Sequence, residues 1–289
     1  MARLRRELPA YLLIAPAVVA TVVFLFVPMV VSGFWSLTDY NGVRSPTWVG
    51  LDNYVDLAGN TRFQHAFINT IAFVLMGMAV GPILGLASAL LLNNAIHLRS
   101  MFRTAFFLPV MTSLVVVAMI WRILLNERGL LNAGLSLVGL HGADWLNDPA
   151  TALPAIAAAS IWQGFGFETV VFLAALQAVR RDLTDAAKVD GAGRWAVFWN
   201  VTLPSLRPTI LFVYVIGIIG SFQVFDQIYV MTNGGPGYAT EMLSSFIYKQ
   251  GLRYFNIGGA ASASWMFLLV IVVIPVVMIR LRARIGRVE

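Results

Sequence analysis

The length of its apolar runs limits what this chain can fold into. Six runs of roughly 20 or more residues alternate with shorter polar stretches, and a helix needs about 20 apolar residues to cross a hydrocarbon core about 30 Å thick. A transmembrane β-barrel is excluded, because its strands would be about 10 residues long and would alternate in polarity. The runs therefore predict an all-α, polytopic membrane protein with six transmembrane helices.

The composition agrees with this class. Of the 289 residues, 59% are hydrophobic and only 12% are charged, which is far from the usual composition of soluble domains. The net charge of +6 favours a membrane over nucleic acid as the partner, because the basic residues collect at the ends of the apolar runs. The absence of cysteine excludes disulfides, thiolate nucleophiles and cysteine metal sites.

The predicted spans, as approximate residue numbers, are 8–37, 67–92, 104–125, 151–179, 208–231 and 259–279. The first follows three arginines and superficially resembles a signal peptide, but it is too long and has no small-x-small cleavage site. We therefore expect a retained first helix that is kinked or started by Pro9, Pro16 and Pro28. We treat 1–289 as a single transmembrane domain, with its core at about 67–279 and a polar segment, the 180–207 segment, before the fifth span.

Three glycines in the second run, Gly77, Gly81 and Gly85, are spaced four residues apart and share one face of a helix. Such a face lets another helix approach closely. We predict that its main role is helix packing rather than direct contact with a substrate.

The distribution of Lys and Arg predicts the orientation, since cytoplasmic connections keep an excess of basic residues. Fourteen of the twenty lie in the N-terminal stretch, in residues 93–104, in the 180–207 segment and in the tail from residue 280. We therefore expect both termini and the 180–207 segment to be cytoplasmic. The connections at 126–150 and 233–258 would face outward.

The 180–207 segment has a partly amphipathic helical pattern from Leu183 to Phe198, with small residues among its charges. A helix with many small side chains can fit a groove on another protein, and an amphipathic loop on the lipid headgroups explains the pattern equally well. Gly191 is expected to bend this helix. Pro204 and Pro208 are expected to keep it from merging with the fifth membrane helix.

The sequence Asp185-Ala186-Ala187-x-x-Asp190-Gly191-Ala192, followed by Leu203-Pro204, resembles the EAA loop of binding-protein-dependent ABC importer permeases. Asp185 stands where that family usually has Glu, and it keeps the carboxylate. Further similar motifs are Leu13-x-x-Pro16, Gly50-Leu51-x-Asn53-Tyr54, Asn69-Thr70, Arg103-Thr104-x-x-x-Leu108-Pro109 and Asn233-Gly234-Gly235-Pro236-Gly237. Together, these motifs resemble those of the carbohydrate-uptake branch of this permease family, which includes maltose, multiple-sugar and glycerol-phosphate permeases.

The resemblance implies a type I ABC importer permease fold and a multi-pass location in a prokaryotic cell membrane, with a sugar or sugar-like solute as cargo. Residues 185–198 would form a coupling helix that docks on a cytoplasmic ATPase. The implied docking residues are Asp185, Ala186, Ala187, Asp190, Gly191, Ala192, Leu203 and Pro204.

The resemblance also implies a set of partners. These are a second homologous permease subunit, two copies of the ABC ATPase, an extracytoplasmic solute-binding protein and the lipid bilayer. A pair of two different permease chains is favoured over a pair of identical ones. The partner ATPase would use ATP and Mg²⁺, and this chain would bind no cofactor, no metal and no nucleic acid.

The chain carries no recognisable catalytic set, so we expect it to be a translocating subunit and not an enzyme. A Walker A loop needs Gly-Lys-Ser/Thr, yet Lys188 and Lys249 follow Ala187 and Tyr248. A membrane-embedded enzyme is disfavoured because the three histidines are scattered over connections on both sides. A stand-alone ion-coupled secondary carrier is the alternative hypothesis, but it should have two repeated halves, and the sequence has no visible repeat.

Three charged residues lie inside the apolar runs, namely Arg122, Glu168 and Asp226. Charges at membrane depth usually face a bundle interior or a cavity. Glu168 would line a translocation path, pair with a neighbouring subunit or snorkel towards the cytoplasm, and these alternatives remain open. Arg122 and Asp226 lie at similar depth, so they would either pair or each contact interfacial water.

A sugar path should combine hydrogen-bonding side chains with aromatic rings, because sugars present hydroxyls and apolar ring faces. The fourth and fifth runs offer such residues, including Gln163 and Gln223. Alignment on the EAA loop with maltose-type permeases implies sugar contacts at Ser160, Gly164, Phe167, Gly217, Ser221 and Val224. Ordinary helix packing at these positions is the alternative. Disaccharides, amino sugars, polyols and glycerol-phosphate all remain open as solutes.

Overall fold

The computed structural model describes residues 2–94 and 99–285 of the chain. Parts of the loop after the second run and of the predicted basic tail lie outside the described residues. The chain divides into two compact units. One comprises the chain up to Asn60 together with Phe246–Leu269, and the other comprises Thr61–Ser245 together with the chain from Val270.

The described residues are mostly helical, as predicted. In chain order the helices are α1 (Ala2–Thr21), α2 (Val27–Trp35), α3 (Asp52–Gly59), α4 (Thr61–Asn93), α5 (Arg99–Met111), α6 (Leu114–Leu124), α7 (Leu130–Leu137), α8 (Pro149–Ala178), α9 (Arg181–Val189), α10 (Arg194–Val197), α11 (Leu203–Phe222), α12 (Asp226–Met231), α13 (Leu243–Tyr248) and α14 (Ile257–Ile285). π-Helical turns occur at Val22–Phe26, Phe198–Thr202 and Lys249–Arg253. Two strands, β1 (Thr38–Asp39) and β2 (Thr47–Trp48), complete the described elements.

The apolar helices bear out the prediction of an all-α, polytopic membrane protein. Five of the described helical segments are long and apolar enough to cross a membrane, and a bent pair supplies a sixth if it counts as one span. The five are Tyr11–Trp35, Thr61–Asn93, Pro149–Ala178, Arg194–Phe222 and Ile257–Arg280, and the bent pair is Ser100–Met111 with Leu114–Leu124.

The first unit contains the first span, which runs from α1 through a π-helical turn to the end of α2. No residue in its most apolar window is buried. The prediction of a helix at 8–37 is therefore confirmed, with Trp35 as the last helical residue.

The first unit also contains a short hairpin that the all-α prediction did not include. β1 and β2 pair antiparallel, with Thr38 opposite Trp48. The Asn53 side-chain amide donates to the backbone carbonyls of Ser36 and Thr38, at 2.9 Å each, and the Tyr54 hydroxyl donates to the Ser36 hydroxyl at 2.9 Å. The motif that carries Asn53 and Tyr54 thus joins α3 to the hairpin.

In the second unit, α8 packs against α4 more extensively than against any other helix. The glycines of α4 at 77, 81 and 85 explain why the two helices can approach each other so closely. A Cβ atom added at Gly85 would lie 2.6 Å from the Cβ of Glu168, and one at Gly77 would lie 3.4 Å from the Ser221 hydroxyl. Since atoms cannot approach to 2.6 Å without a shift, α8 occupies space that only glycine leaves open. The structure thus places Gly85 in a close contact between helices, and the preference for packing over contact with a solute stays a prediction.

Two buried apolar clusters hold the second unit together. One includes Ile156 of α8 and Ile228 of α12. The other includes Leu92 of α4, Phe172 of α8 and Leu206 of α11. Burial of such side chains stabilises a fold by about 1.5–3 kcal/mol each in water, but between helices in lipid the gain comes mainly from close packing.

The third predicted run is not one straight helix. α5 and α6 meet at a bend of 101°, where Ser113 has an extended backbone with φ −55° and ψ 132°. Pro109 has no N–H to donate to the preceding turn, and the Thr112 hydroxyl bonds to the Leu108 carbonyl at 3.0 Å. The expectation of a continuous span at 104–125 is therefore wrong.

The fifth predicted run departs from expectation at both ends. α10 continues through a π-helical turn into α11 without a break, so Pro204 and Pro208 do not separate the 180–207 segment from the membrane helix. The Leu203 N–H bonds to the carbonyl of Phe198, five residues earlier. Pro204, which has no N–H to donate, directly follows this π-helical turn. At the other end, α11 stops at Phe222 and α12 begins at Asp226.

The two connections at 126–150 and 233–258 carry internal polar contacts, and those described here lie within the second unit. In the connection after α6, Asn132 donates to the carbonyls of Glu127 and Ala143, at 2.9 and 2.8 Å. In the later connection, the Asn69 amide donates to the carbonyls of Tyr238 and Glu241, at 2.9 and 3.0 Å. Asn69 therefore fastens to α4 the segment that follows the Asn233-Gly234-Gly235-Pro236-Gly237 motif.

Candidate functional site

A cavity of about 270 Å³ lies among α4, α6, α8, α11 and α12. Its wall combines apolar, aromatic, amide and hydroxyl groups, which is the mixture that orients a polar solute with apolar faces. The lining residues are Phe73, Gly77, Met78, Gly81, Leu114, Ala157, Ser160, Ile161, Gln163, Gly164, Phe165, Phe167, Glu168, Val213, Ile216, Gly217, Gly220, Ser221, Val224 and Gln227.

All but one of the residues predicted for the solute path line this cavity. Those that do are Ser160, Gln163, Gly164, Phe167, Gly217, Ser221 and Val224. Gln223 is the exception, because it follows the last residue of α11 and its side chain is exposed. The structure brings the seven together, and their contact with a solute stays a prediction.

A chain of buried amides connects the two breaks in the helices beside this cavity. The Ser160 hydroxyl donates to the Gln227 side-chain oxygen, and the Gln227 amide donates to the Gln163 oxygen at 2.9 Å. Gln163 in turn donates to the Thr112 carbonyl, at 3.4 Å. Irregular backbone at membrane depth needs such partners, because an unsatisfied polar group in hydrocarbon costs several kcal/mol.

The sequence analysis missed Gln227. It is 3% exposed, lines the cavity and bonds to two residues of α8. The sequence signal for Gln227 is that it is an amide inside an apolar run. Its neighbour Asp226 is the more visible polar residue because it is charged.

Glu168 also lines the cavity. Its carboxylate faces α4, where a Cβ atom at Gly81 would lie 3.1 Å from either carboxylate oxygen. The Oε2 atom is buried and has no hydrogen-bond partner among the described residues. Glu168 thus lies at the wall of this cavity, and its place in a translocation path stays a prediction.

The predicted pairing of Arg122 with Asp226 is not formed. The Arg122 guanidinium donates instead to the carbonyl of Val230, at 3.2 Å, and among the described residues these two charges make no ion pair with each other. The break before α12 places Asp226 in the first turn of that helix, four residues before the carbonyl that Arg122 reaches.

The 180–207 segment contains a well-defined helix end at Gly191. The Ala192 N–H bonds to the Ala187 carbonyl at 2.9 Å, and the Gly191 N–H bonds to the Lys188 carbonyl at 3.0 Å. This pair of bonds, with Gly191 at φ +84°, is a Schellman motif, in which glycine tolerates the left-handed backbone. The predicted bend at Gly191 is thus the end of α9, and α10 begins separately at Arg194.

No residue of α9 is buried. Its ion pairs lie at the surface, between Lys188 and Asp185 at 3.0 Å and between Arg180 and Asp182. The Arg180 guanidinium donates hydrogen bonds to the Asp182 carboxylate and lowers the pKa of that carboxyl below its usual range. Exposed pairs contribute little to stability. α9 therefore presents a charged surface that none of the residues described by the structure buries.

Comparison with protein families decides what kind of protein carries this cavity and this exposed helix. Residues 81–287 match the family described as "Binding-protein-dependent transport system inner membrane component". The match spans more than half of the chain. The chain belongs to this family.

Similar proteins agree with this inner membrane component family. The trehalose/maltose transport system permease protein MalF of Thermococcus litoralis is 34% identical over 90% of this chain and 89% of its own length. The probable ABC transporter permease protein YesP of Bacillus subtilis is 32% identical over 95% of this chain and 90% of its own length. This chain is therefore a transport component, and the alternative of a stand-alone carrier is not supported.

A solved structure matches along nearly the whole chain. One chain in the crystal structure of a bacterial alginate ABC transporter, in complex with an alginate pentasaccharide-bound periplasmic protein, superposes with a TM-score of 0.86. It is 26% identical, over 98% of this chain and 97% of that chain. The inner membrane component described here thus has the type I ABC importer permease fold.

Proposed function

We propose that this chain is the translocating subunit of an ATP-driven importer for a sugar or sugar-like solute, and that the cavity beside α8 is part of the solute path. The observation that carries this proposal is that nearly all of the positions chosen for sugar contact converge on one cavity. Amides and hydroxyls there can bond to sugar hydroxyls, and phenylalanine rings can pack against sugar ring faces.

The similar proteins support a carbohydrate as the solute. One is named for trehalose and maltose, and the solved structure belongs to a transporter of alginate, with an alginate pentasaccharide on its periplasmic protein. By analogy, an extracytoplasmic solute-binding protein would deliver the sugar to the outer side of this chain, in a prokaryotic inner membrane. The charge of the solute is not the same among these proteins, since alginate is an acidic polysaccharide.

The exposed surface of α9 supports the docking of a separate ATPase. The docking residues would be those of the EAA-like sequence, with Asp185 at the exposed surface of α9 and Gly191 at its end. ATP and Mg²⁺ would be bound by two copies of that ATPase, and a second, homologous permease subunit would complete the path. The unburied first span supports contacts with lipid or with this second subunit, and the whole chain would act as a single permease domain.

Purification and uptake together test this proposal. The tagged chain, isolated with the subunits that accompany it, should bring down an ATPase. Vesicles that hold this complex should accumulate at least one labelled carbohydrate when ATP is present at the ATPase side. The panel should include maltose, trehalose, glucosamine, sorbitol and glycerol 3-phosphate. Uptake driven by an ion gradient without ATP would favour the carrier, and ATP-driven uptake of a solute that is not a carbohydrate would contradict the proposed cargo.

A further inference from the structure

Glu168 is the one ionisable residue among the residues that line the cavity. The part of α4 that faces the Glu168 carboxylate consists of Gly81 and Gly85. A Cβ atom added at Gly81 would lie 3.1 Å from the carboxylate oxygens, and one added at Gly85 would lie 2.6 Å from the Glu168 Cβ. Neither position therefore leaves room for a side chain. The carboxylate therefore meets bare backbone on that side. Within the cavity lining, no cation neutralises it.

The carboxylate also has unused capacity to accept hydrogen bonds. Its Oε2 atom is buried without a partner among the described residues, and a carboxylate can accept about four hydrogen bonds in all. A buried acceptor without a partner costs free energy. Glu168 also lines the cavity, so a hydroxyl or ammonium group of an entering solute can approach its carboxylate group from that side. A charge in a cavity with low-dielectric walls also acts over a longer distance than the same charge in water.

We propose that the Glu168 carboxylate sets the charge of the solute that this cavity admits, an inference that rests on the proposed role of the cavity as the solute path. Neutral sugars and polyols donate hydroxyl hydrogen bonds to the carboxylate, and amino sugars add an attraction through their ammonium group. Solutes that carry a carboxylate or a phosphate are repelled. Among the chemistries that the sequence left open, this selects neutral and cationic carbohydrates and rejects glycerol-phosphate and uronates.

The absence of cysteine from this chain allows a direct test with a single introduced thiol. Gly164 lines the cavity, an added Cβ there meets nothing within 4 Å, and it lies one helical turn from Glu168 on the same face. The assembled complex carrying Gly164→Cys is treated with two methanethiosulfonate reagents, one with a quaternary ammonium and one with a sulfonate. The rate of labelling is read from the mass of this chain.

The cationic reagent should react faster than the anionic one inside the cavity. Ser136→Cys, at an exposed position of α7, gives the reference for the intrinsic reactivity of the two reagents. Relative to this reference, the ratio of cationic to anionic rates at Gly164→Cys should be at least about tenfold higher. Glu168→Gln, which keeps the shape of the side chain, should lower the ratio to within about twofold of the reference.

Two further variants separate the charge from other effects. Glu168→Asp keeps the charge and should keep most of the ratio, whereas Glu127→Gln, the same change at an exposed loop position, should leave it unaltered. A second thiol, Ser221→Cys on α11, repeats the measurement if Gly164→Cys fails to assemble. An equal ratio with and without Glu168, or a thiol in the cavity that neither reagent reaches, would overturn the inference.

The failure of this inference can be told apart from the failure of the proposed function. Uptake of glycerol 3-phosphate or of a uronate disaccharide by the unaltered complex would overturn the charge selection and leave the carbohydrate importer standing. Uptake of no carbohydrate at all would overturn the proposed function, while the labelling ratio would still report the charge at Glu168.

Discussion

The cavity and the 180–207 segment differ in what holds their side chains in place. Around the cavity, the chain supplies the partners itself: Gln163 and Gln227 bond to each other, and glycines of α4 receive α8. In α9 no residue is buried, and the ion pairs are exposed. Substitutions in the helix contacts around the cavity should therefore act through the fold of this chain, whereas substitutions in α9 should act through its partner in the complex.

The largest effect is expected where α5 crosses α8. A Cβ atom added at Gly166 would fall on the backbone carbonyl oxygen of Phe106, well inside contact distance. The backbone cannot rotate away as a side chain can, so Gly166→Ala should destabilise the second unit by about 1–3 kcal/mol through overpacking. Thermal unfolding of the purified chain or complex should show a clear drop in Tm.

Gly164→Ala is the matched control for this substitution. It lies two residues away on the same helix, and an added Cβ meets nothing within 4 Å. Replacing a helical glycine with alanine should then be neutral or stabilising by up to about 1 kcal/mol. If both variants unfolded at the same temperature, the close contact between α5 and α8 would be refuted.

The next effect is functional and lies at the end of α9. Gly191→Pro removes the N–H that bonds to the Lys188 carbonyl and forces φ from +84° to about −65°. The helix end should lose its shape, and solute uptake should fall at least about tenfold, since roughly 1.4 kcal/mol of lost docking suffices for that. Insertion of the spans should be unaffected. Uptake by vesicles and protection of the spans from protease measure the two properties.

Gly193→Pro tests whether any proline in this turn would do the same. Gly193 has φ −68°, a value that proline adopts without strain, so this variant should retain most of its uptake. Equal losses at both positions would mean that added bulk, and not the backbone conformation at Gly191, disturbs the segment.

A smaller effect on stability, but a clear one on coupling, is expected at Asp185. Asp185→Lys removes the exposed pair with Lys188, which should change the free energy of unfolding by no more than about 0.5 kcal/mol. ATPase activity stimulated by the solute-loaded binding protein should nevertheless fall. The double variant with Lys188→Asp restores the pair within α9 and should stay uncoupled. A docking role would be contradicted if the stimulated ATPase activity recovered in the double variant, or if it was unchanged in Asp185→Lys.

The sequence predicted the elements whose apolar pattern is continuous and missed those whose backbone is broken. α8 is expected at 151–179 and occupies Pro149–Ala178, because its apolar run is unbroken and Pro154 leaves the membrane helix continuous. The bend between α5 and α6 had a visible cause in Pro109, but prolines are common inside membrane helices and often leave them continuous. The break between α11 and α12 has neither glycine nor proline at residues 223–225.

The candidate site was predicted only in part, for a related reason. Five of the six positions taken from the EAA alignment reach the cavity because they repeat at helical spacing on α8 and α11. Val224 reaches it from the break after α11. Gln223 was chosen by residue type alone, and the end of α11 turns it away. Gln227 depends on the orientation of α12 after the break, which no periodicity in the sequence sets. Glu168 was visible as a charge, but its bare surroundings depend on how closely α4 approaches.

The smallest expected effect concerns the exposed pair of Arg180 and Asp182 at the start of α9. Its dependence on pH distinguishes this exposed helix from the cavity. The pKa of Asp182 is lowered from its ordinary value of 3.8, chiefly by the hydrogen bonds from Arg180. A lowered pKa means that folding favours the ionised form of this carboxyl. The ion pair therefore stabilises the folded chain at pH values above the ordinary pKa. This stabilisation is lost as the pH falls through the lower pKa of the folded state.

Asp182→Asn should therefore be slightly less stable than the unaltered chain near neutral pH and equally stable once the pH lies below that lowered pKa. Added salt should shrink the difference at neutral pH, because exposed charges are screened. Thermal unfolding of both proteins across this pH range, at low and high salt, measures the effect. A difference that persisted in high salt would mean that α9 is covered and not exposed. A difference that grew as the pH fell would refute the assigned ion pair.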